Sequence, residues 1–421
     1  NDTATWRVEL HGPLGVTEVK TDFIVMANGS LHVPQYPTLK GLSNIDGSTV
    51  FQGDSFHAAK WDHRVSLANK RVGIVGSGAS AIQIVPEIAK IVKELYVFQR
   101  TAPWIFYKTD FCFPNVVKEV FRLFPFTMRL LRYIVYIATE IRFGGLYVGS
   151  FFNWWMQVDS IRYLKSVIKD KDLQRKVTPT LVCGCKRMLF SSFWYPALCR
   201  SNVHVVTDRI TGVCERGISI RSTPENLESI HSDSAISSVE CDKSSDRIID
   251  LDAIIYATGF QVTRANAPPK YAFDVVGING YTLSAWMKDG PCTLLGITAP
   301  QFPNLFFLYG PNSNLGHNSI IFMIECQVNY ILKLMRLQNK HNFRYLQVKD
   351  DVVKEYHSNV IERGLVGKVW DGCSSWYRWP VKQPDGSVTN SGFVYSLWPH
   401  STVWYYWKTL WPRVQDYRVT T

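Results

Sequence analysis

Apolar and polar positions alternate in Trp6-Arg7-Val8-Glu9-Leu10, the period of a half-buried strand. Residues 23–27, Phe-Ile-Val-Met-Ala, form an unbroken apolar run instead, which predicts a buried parallel strand ending in the Asn28-Gly29 turn. Pro34, Pro37, Gly41, Asn44 and Gly47 then mark a loop-rich passage towards Phe51. After Arg71 the pattern changes. Val72-Gly73-Ile74-Val75 reads as a strand, Gly76 to Ala81 as a tight loop, and Ile82, Val85, Ile88, Ala89 and Val92 as one face of a helix. A second strand is predicted at 95–98, so this region opens a βαβ unit. Residues 111–178 carry apolar positions at helical spacing, Val116, Val120, Leu123, Leu130, Leu131 and Ile134 among them, interleaved with basic residues. Strand-like runs return at 203–206 and 253–257, and an amphipathic helix is predicted at 320–338. The helical stretch interrupts an α/β pattern and reads as an insertion into it.

Hydrophobic residues make up 46% of the 421 and aromatics 14%. That suffices for large buried cores and, at roughly 100–200 residues per domain, for two or three domains. The strand pattern starts almost at once after Asn1, so the sequence is expected to be a piece of a longer chain. Nine cysteines, an odd number without CxxC spacing, point to a reducing compartment and to buried thiols. Cys183-Gly184-Cys185 has no second pair beside it to complete a zinc site, and no metal is expected. The 46 Lys and Arg exceed the 35 Asp and Glu, for a net charge of +11. They are dispersed, which suits phosphate sites better than a nucleic-acid footprint. Residues 121–158 are the most membrane-like, yet Arg122, Arg129, Arg132, Glu140 and Arg142 keep every uncharged run below the ~20 residues of a spanning helix. A cytoplasmic protein is expected, with peripheral membrane contact through this segment left open.

A pyrophosphate held at a helix N-terminus requires one small residue for the turn, one for backbone approach and one for packing of helix on strand. Gly76, Gly78 and Ala81 fill these places, with Ser77, Ala79 and Ser80 between them. The bare motif is weak, but a strand before it and a helix after it are the context that confirms it. The end of the next strand selects the cofactor, because a carboxylate there holds the ribose 2′-hydroxyl of NAD whereas Arg accommodates the 2′-phosphate of NADP. Here it ends Phe98-Gln99-Arg100-Thr101, with a guanidinium and no carboxylate, which predicts NADP. The plainer reading of Arg100 is a solvated strand-end charge.

Upstream stands Phe51-Gln52-Gly53-Asp54-Ser55-Phe56-His57-Ala58-Ala59-Lys60-Trp61-Asp62. It resembles the FxGxxxHxxxW(P/D) fingerprint of Baeyer–Villiger monooxygenases at every fixed position: Phe51, Gly53, His57, Trp61 and Asp62. Three further segments resemble the same family, in its order: Gly184-Cys185-Lys186-Arg187 with Trp194-Tyr195-Pro196-Ala197-Leu198; Asp252 with Ala257-Thr258-Gly259-Phe260; and Leu308-Tyr309-Gly310-Pro311-Asn312 running on to Asn318. The resemblance extends from about Phe23 to Gln327 and fades beyond. It implies an α/β fold of two discontinuous Rossmann-like nucleotide-binding domains, one for FAD and one for NADP. The FAD-domain parts are expected at 1–65 and 262–421, the NADP-domain parts at 66–110 and 179–261, and a helical insertion at 111–178. The family's FAD domain carries its own GxGxxG near the N-terminus, and none follows a strand here, so that domain is expected to be incomplete.

The resemblance further implies an enzyme that reduces FAD with NADPH, captures O2 as a C4a-peroxyflavin and inserts one oxygen atom into a small apolar ketone, giving an ester or lactone. Arg187 matches the family's active-site arginine, and a permanently charged planar fork suits negative charge on a peroxide or tetrahedral adduct. Lys186 matches the position that grips the 2′-phosphate, next to Arg100 and Thr101 of the strand end. Asn28, Gly29, Thr258 and Gly259 are expected to let backbone approach the cofactors, and Asn314, Leu315 and His317 to lie beside the isoalloxazine ring. His57 and Trp61 read as couplers between domains rather than as acid or base. Two readings compete with this one: an N- or S-oxygenating flavin monooxygenase acting on amines or thioethers, and a non-catalytic NADP-binding module. For the C-terminal aromatics, Trp376, Trp379, Trp398, Trp404, Tyr405, Tyr406, Trp407 and Trp411, packing is favoured over a substrate funnel.

Overall fold

The computed structural model describes residues 4–222, 246–261, 273–288, 290–373, 377–379, 381–382, 388–389 and 392–420. Five parallel strands form its main sheet, in the order Asp54–His57, Ala253–Tyr256, Arg71–Val75, Glu94–Phe98, Val203–Val206. Side chains alternate across a strand, so an unbroken apolar run fills both faces of a sheet. Val72, Ile74, Leu95, Val97, Ala253 and Ile255 face the helices Ala81–Ile88 and Trp194–Leu198. Phe98, Val206, Ile254 and Tyr256 face the other way, beneath the antiparallel strands Arg209–Cys214, Gly217–Arg221 and Arg247–Asp250. From Arg71–Val75 the chain steps outward to Glu94–Phe98 and later returns on the other side with Ala253–Tyr256. The strand order reverses there, and a ligand crevice opens beyond the C-terminal strand ends at such a switch point.

The strand Asp54–His57 belongs to this sheet, so a domain division at residue 65 comes too late. Loop signals before and after the strand say only that a strand stands there. Which sheet it joins is decided by the pairing edge of Ala253–Tyr256. The second unit is built on the parallel pair Ile24–Met26 and Leu305–Phe307, drawn from both ends of the chain, and on the helix Ile320–His341. That helix stops where Asn342 takes the left-handed conformation, φ 55°. Of 24–26 only Met26 is buried, so the run is less enclosed than its sequence predicts. The opening alternation forms a hairpin of Trp6–Gly12 with Gly15–Thr21. Between the two units the chain crosses twice, at 33–35 and 259–261, and the crossings pair: the Gln35 amide donates to the Gly259 carbonyl (2.9 Å) and the Gln261 amide to the Val33 carbonyl (2.8 Å).

The helices Asn115–Leu123, Pro125–Glu140, Phe151–Val167 and Lys171–Val177 form the expected helical stretch, bracketed by the parallel pair Ile105–Phe106 and Leu189–Phe190. It leans on the C-terminal segment, where the Val369 amide donates to the Leu146 carbonyl (2.9 Å) and Trp370 and Tyr377 share a core with Trp104, Met156 and Met188. Among the described residues no helix is long and apolar enough to cross a membrane. Of the C-terminal aromatics, Trp398 and Tyr405 are fully buried, Trp404 stacks on Trp398, and Trp379 stacks on Phe393. Tyr406, Trp407 and Trp411 stay exposed, contrary to a pure packing role, and Trp376 lies outside the described residues. The expectation of free thiols fails at one pair: Cys185 and Cys373 form a disulfide across 188 residues, their Cα atoms 5.8 Å apart. Only the tertiary fold brings that pair together.

Candidate functional site

The strand Arg71–Val75 ends in Gly76 at φ 116°, where a Cβ would come 2.5 Å from the Ala257 carbonyl oxygen. No other residue fits that turn without displacing the neighbouring strand end. At Gly78 nothing lies within 4 Å of a Cβ position, which leaves the backbone open to a ligand. Ala81 is fully buried at the start of its helix. The three small residues thus meet the demands of turn, approach and packing separately. Ser80 precedes that helix without a side-chain cap, which leaves the first turn's positive end to a bound anion. The Ser77 hydroxyl donates to the Thr101 carbonyl (3.2 Å), joining this loop to the strand end that carries Arg100.

Arg100 and Arg187 are exposed and Lys186 is half-buried, and none of the three forms an ion pair among the described residues. Burial pushes the Lys186 ammonium below its ordinary pKa, and the positive Arg100 pushes it the same way, which makes the two electrostatic neighbours. Arg187 acts elsewhere. Burial raises the phenols of Tyr309 and Tyr377, and the Arg187 charge opposes that rise at both. Adjacent residues therefore have different electrostatic neighbours, Arg100 for Lys186 and the phenols of Tyr309 and Tyr377 for Arg187. Their turn is held firmly: Gly184 sits at φ 94°, its carbonyl accepts from the Trp370 indole (3.0 Å), and Cys185 is tied to Cys373.

The fingerprint residues build a junction. At Gly53 a Cβ would stand 2.6 Å from both the Asp252 carbonyl oxygen and the buried Phe51 ring. His57 Nδ1 accepts from the Ala59 amide (3.0 Å), and its ring lies edge-on to Phe260 of one crossing (6.0 Å) and to Tyr36, directly after the other (5.3 Å). Burial holds the imidazole below its ordinary pKa against the opposing Gly259 backbone, while Nε2 is buried without a hydrogen bond of ordinary geometry. Trp61 packs edge-on against Phe56 (5.1 Å). Asp62 accepts from the Arg64 amide and guanidinium, which hold its carboxyl down at about 2. At the opposite end of the sheet Asp252 accepts from the Arg71 amide (2.7 Å) and guanidinium (2.9 Å), fixing strand starts far from the crevice.

Gly29, at φ 67°, and Gly259, at φ 87°, have open space where a Cβ would be, and Asn28 beside them is exposed. The Thr258 hydroxyl donates to the Gln35 carbonyl across the crossing. Asn314 is built into the C-terminal segment instead: its amide donates to the Ser396 carbonyl and its carbonyl accepts from the Trp398 amide, both at 2.8 Å. Its side-chain oxygen accepts from the amide of buried Leu315 (2.8 Å). His317 is buried with Nε2 3.3 Å from a carboxylate oxygen of Glu140, which sequence reasoning had counted only as a charge interrupting an apolar stretch. Glu140 also accepts from the Thr402 amide (2.8 Å), the Thr402 hydroxyl (2.6 Å) and the Asn318 side chain (2.6 Å). Burial alone would raise its pKa; the bonds from His317, Thr402 and Asn318 win and bring it to about 2. One signal could have found it. An acid in the last turn of a helix opposes the helix dipole, so it needs a partner from elsewhere.

A parallel sheet with a small-residue loop at its switch point, beside cations without ion-pair partners, defines a dinucleotide-binding protein, and the second unit joined by two crossings makes it a two-domain one. The model of the flavin-binding monooxygenase-like family matches residues 15–139. A Baeyer–Villiger monooxygenase of Pseudomonas aeruginosa is 39% identical over 361 residues, 85% of this chain and 62% of its own length. Another, of Streptomyces coelicolor, is 34% identical over 89% of this chain and 66% of its own length. Over 85–89% of its own length the chain is similar to Baeyer–Villiger monooxygenases, and its first part matches the model of flavin-binding monooxygenase-like proteins. It spans less than two thirds of the length of these curated relatives. Among solved structures, a steroid monooxygenase bound to NADP superposes with a TM-score of 0.73 at 22% identity, over 100% of this chain and 78% of that one. A closed cyclohexanone monooxygenase gives 0.74 at 19% identity, with the same coverage. These likenesses bear out the expected fold class, α/β with two Rossmann-type domains.

Proposed function

We propose that the protein is an FAD-dependent, NADPH-consuming monooxygenase that inserts one oxygen atom from O2 into a small apolar ketone, giving an ester or lactone. The observation that carries this reading is the Lys186-Arg187 turn, fixed by the Trp370 indole and the Cys185–Cys373 link, with one cation an electrostatic neighbour of Arg100 and the next of Tyr309 and Tyr377. The similarity supports it, since relatives at 34% and 39% identity bear that name. FAD and NADPH, when bound, supply the hydride and the activation of oxygen.

The chain's own residues bind and orient. The backbone at Gly76, Gly78 and Ala81 seats a pyrophosphate on the helix Ala81–Ile88, with Ser77, Ala79 and Ser80 completing the loop, and Arg100, Thr101 and Lys186 receive the 2′-phosphate. Open backbone at Gly29 and Gly259, with Asn28 and Thr258 beside them, would leave room for the flavin, and Asn314 and Leu315, held by backbone bonds to the C-terminal segment, would help to hold it. Arg187 offers a fixed charge to the oxygen on which negative charge develops as the carbonyl is attacked. His57 moves no proton in this scheme. With Phe51, Gly53, Trp61 and Asp62 it sets the junction between an NADP-side unit, 36–110 and 179–261, and a flavin-side unit at 1–35 and 262–421, the insertion 111–178 bridging them. A cytosolic location belongs to the same proposal, with at most peripheral membrane contact through the insertion; the Cys185–Cys373 disulfide is the observation against a uniformly reduced protein.

Product analysis on the full-length protein tests the reading. A yellow protein that consumes NADPH and O2 and converts a cyclic ketone to its lactone is expected. Sulfoxide from a thioether with no lactone would move the protein to the N- or S-oxygenating class, and a colourless protein that binds NADP would make it a binding module.

A further inference from the structure

The helices Asn115–Leu123 and Pro125–Glu140 bury none of their residues. In the longer one Phe126, Leu130, Ile134 and Ile137 recur at helical spacing on one face, each between 56 and 65% exposed. Its opposite face holds it to the protein, where Arg132 pairs with Glu325, Tyr136 bonds Thr402, and Glu140 makes the bonds described above. A stripe of this kind normally covers a core, and here it faces away from one. Further apolar surface adjoins it. Rings step from Tyr136 to Phe322 (4.8 Å), Tyr406 (6.2 Å), Trp407 (6.1 Å) and Trp411 (6.3 Å), and the last two are 57% and 68% exposed. Beyond the helix end Phe152 lies over Gly144, with Trp154 and Trp155 exposed beside it.

Charge selects the occupant. Residues 108–165 hold eight Lys and Arg against four Asp and Glu; Glu140 and Arg142 are turned inward, the latter over the Phe190 ring, and Arg132 is paired with Glu325. Lys118 and Arg129, on the exposed helices, form no ion pair among the described residues. A two-fold contact with a second copy would bring two surfaces of the same positive sign together. An anionic bilayer would neutralise them, while exposed Trp, Tyr and Phe side chains enter the headgroup boundary and Lys and Arg stems reach back to phosphate. We infer that this face is a membrane-docking surface, with the helix Pro125–Glu140 lying in the plane of an anionic phospholipid bilayer. The inference rests on the peripheral contact proposed above and names its face and its lipid.

Vesicle flotation tests it, using the full-length protein and phosphatidylcholine vesicles made with or without phosphatidylserine. Wild type is expected to float with the phosphatidylserine vesicles and to lose roughly tenfold in partitioning when salt is raised. Ile134→Asp with Ile137→Asp should weaken partitioning by at least about tenfold, because two apolar contacts are lost, and leave thermal melting and NADPH affinity unchanged. Lys118→Glu with Arg129→Glu should remove the preference for phosphatidylserine. Absence of flotation by wild type, or flotation that the isoleucine variants leave unaltered, would overturn the inference. So would an oligomer, seen by sedimentation velocity, that the isoleucine variants dissociate, since the face would then belong to a second copy. Lactone formation read on the same samples separates failure here from failure of the oxygenase reading.

Discussion

Lys186 and Arg187 are neighbours in sequence whose charges act on different groups, Lys186 with Arg100 and Arg187 with Tyr309 and Tyr377, and each proposed role has its own test. On the proposed assignment Arg100→Ala would remove a charge-assisted contact to the 2′-phosphate, a loss of ~1.5–3 kcal/mol, so NADPH should bind roughly 10- to 150-fold more weakly. NADH, which lacks that phosphate, should bind as before. Fluorescence titration of both cofactors measures this, and equal losses would return Arg100 to a solvated strand-end charge. Arg187→Ala should retain bound flavin yet lose ~10²–10³ in lactone formed per bound FAD, the effect of removing one preorganised donor, ~2.7–4 kcal/mol. Lys at that position should restore little, because a compact ammonium cannot reproduce the planar fork. Near-normal turnover per flavin in Arg187→Ala would leave the residue a structural role only. The sequence made both cations legible through the family motif. It offered no sign of Tyr377, which comes to Arg187 from 190 positions along the chain.

Among the elements, the helix Pro125–Glu140 is the one whose behaviour its own sequence hides. Its last residue ties the insertion to the loop at His317 and to the start of the helix Thr402–Thr409. The Glu140 carboxyl titrates near 2 in the folded protein, below the ~4.3 of an unfolded chain. Its contribution to stability is therefore complete above the unfolded value and is lost as pH falls from there towards 2. Glu140→Gln keeps the shape but not the charge, and should cost about 1–3 kcal/mol at neutral pH. Denaturant midpoints taken between pH 6 and 2 should fall less steeply in the variant, and identical slopes would show that the carboxylate carries no such role. The strand Asp54–His57 teaches the complementary lesson. Its existence was local information, but its sheet was not, because pairing with Ala253–Tyr256 closes a contact across some 200 residues.

For the whole molecule, the two units meet at paired crossings with His57 wedged beside them, and the insertion spans from the dinucleotide sheet to the C-terminal segment. By itself the sequence determined the βαβ start, the small-residue loop, the absence of a carboxylate at Arg100 and the helical character of 111–178. Each of these is a short-range matter: periodicity, φ requirements and residue volume act within one or two turns of chain. Tertiary structure alone decided the Cys185–Cys373 link, the burial of Glu140, the different electrostatic neighbours of Lys186 and Arg187, and the exposure of the stripe through Ile134 and Ile137. These depend on which distant segments arrive beside a residue, and a helix with one apolar face reads the same whether a core, a second chain or a bilayer lies against it.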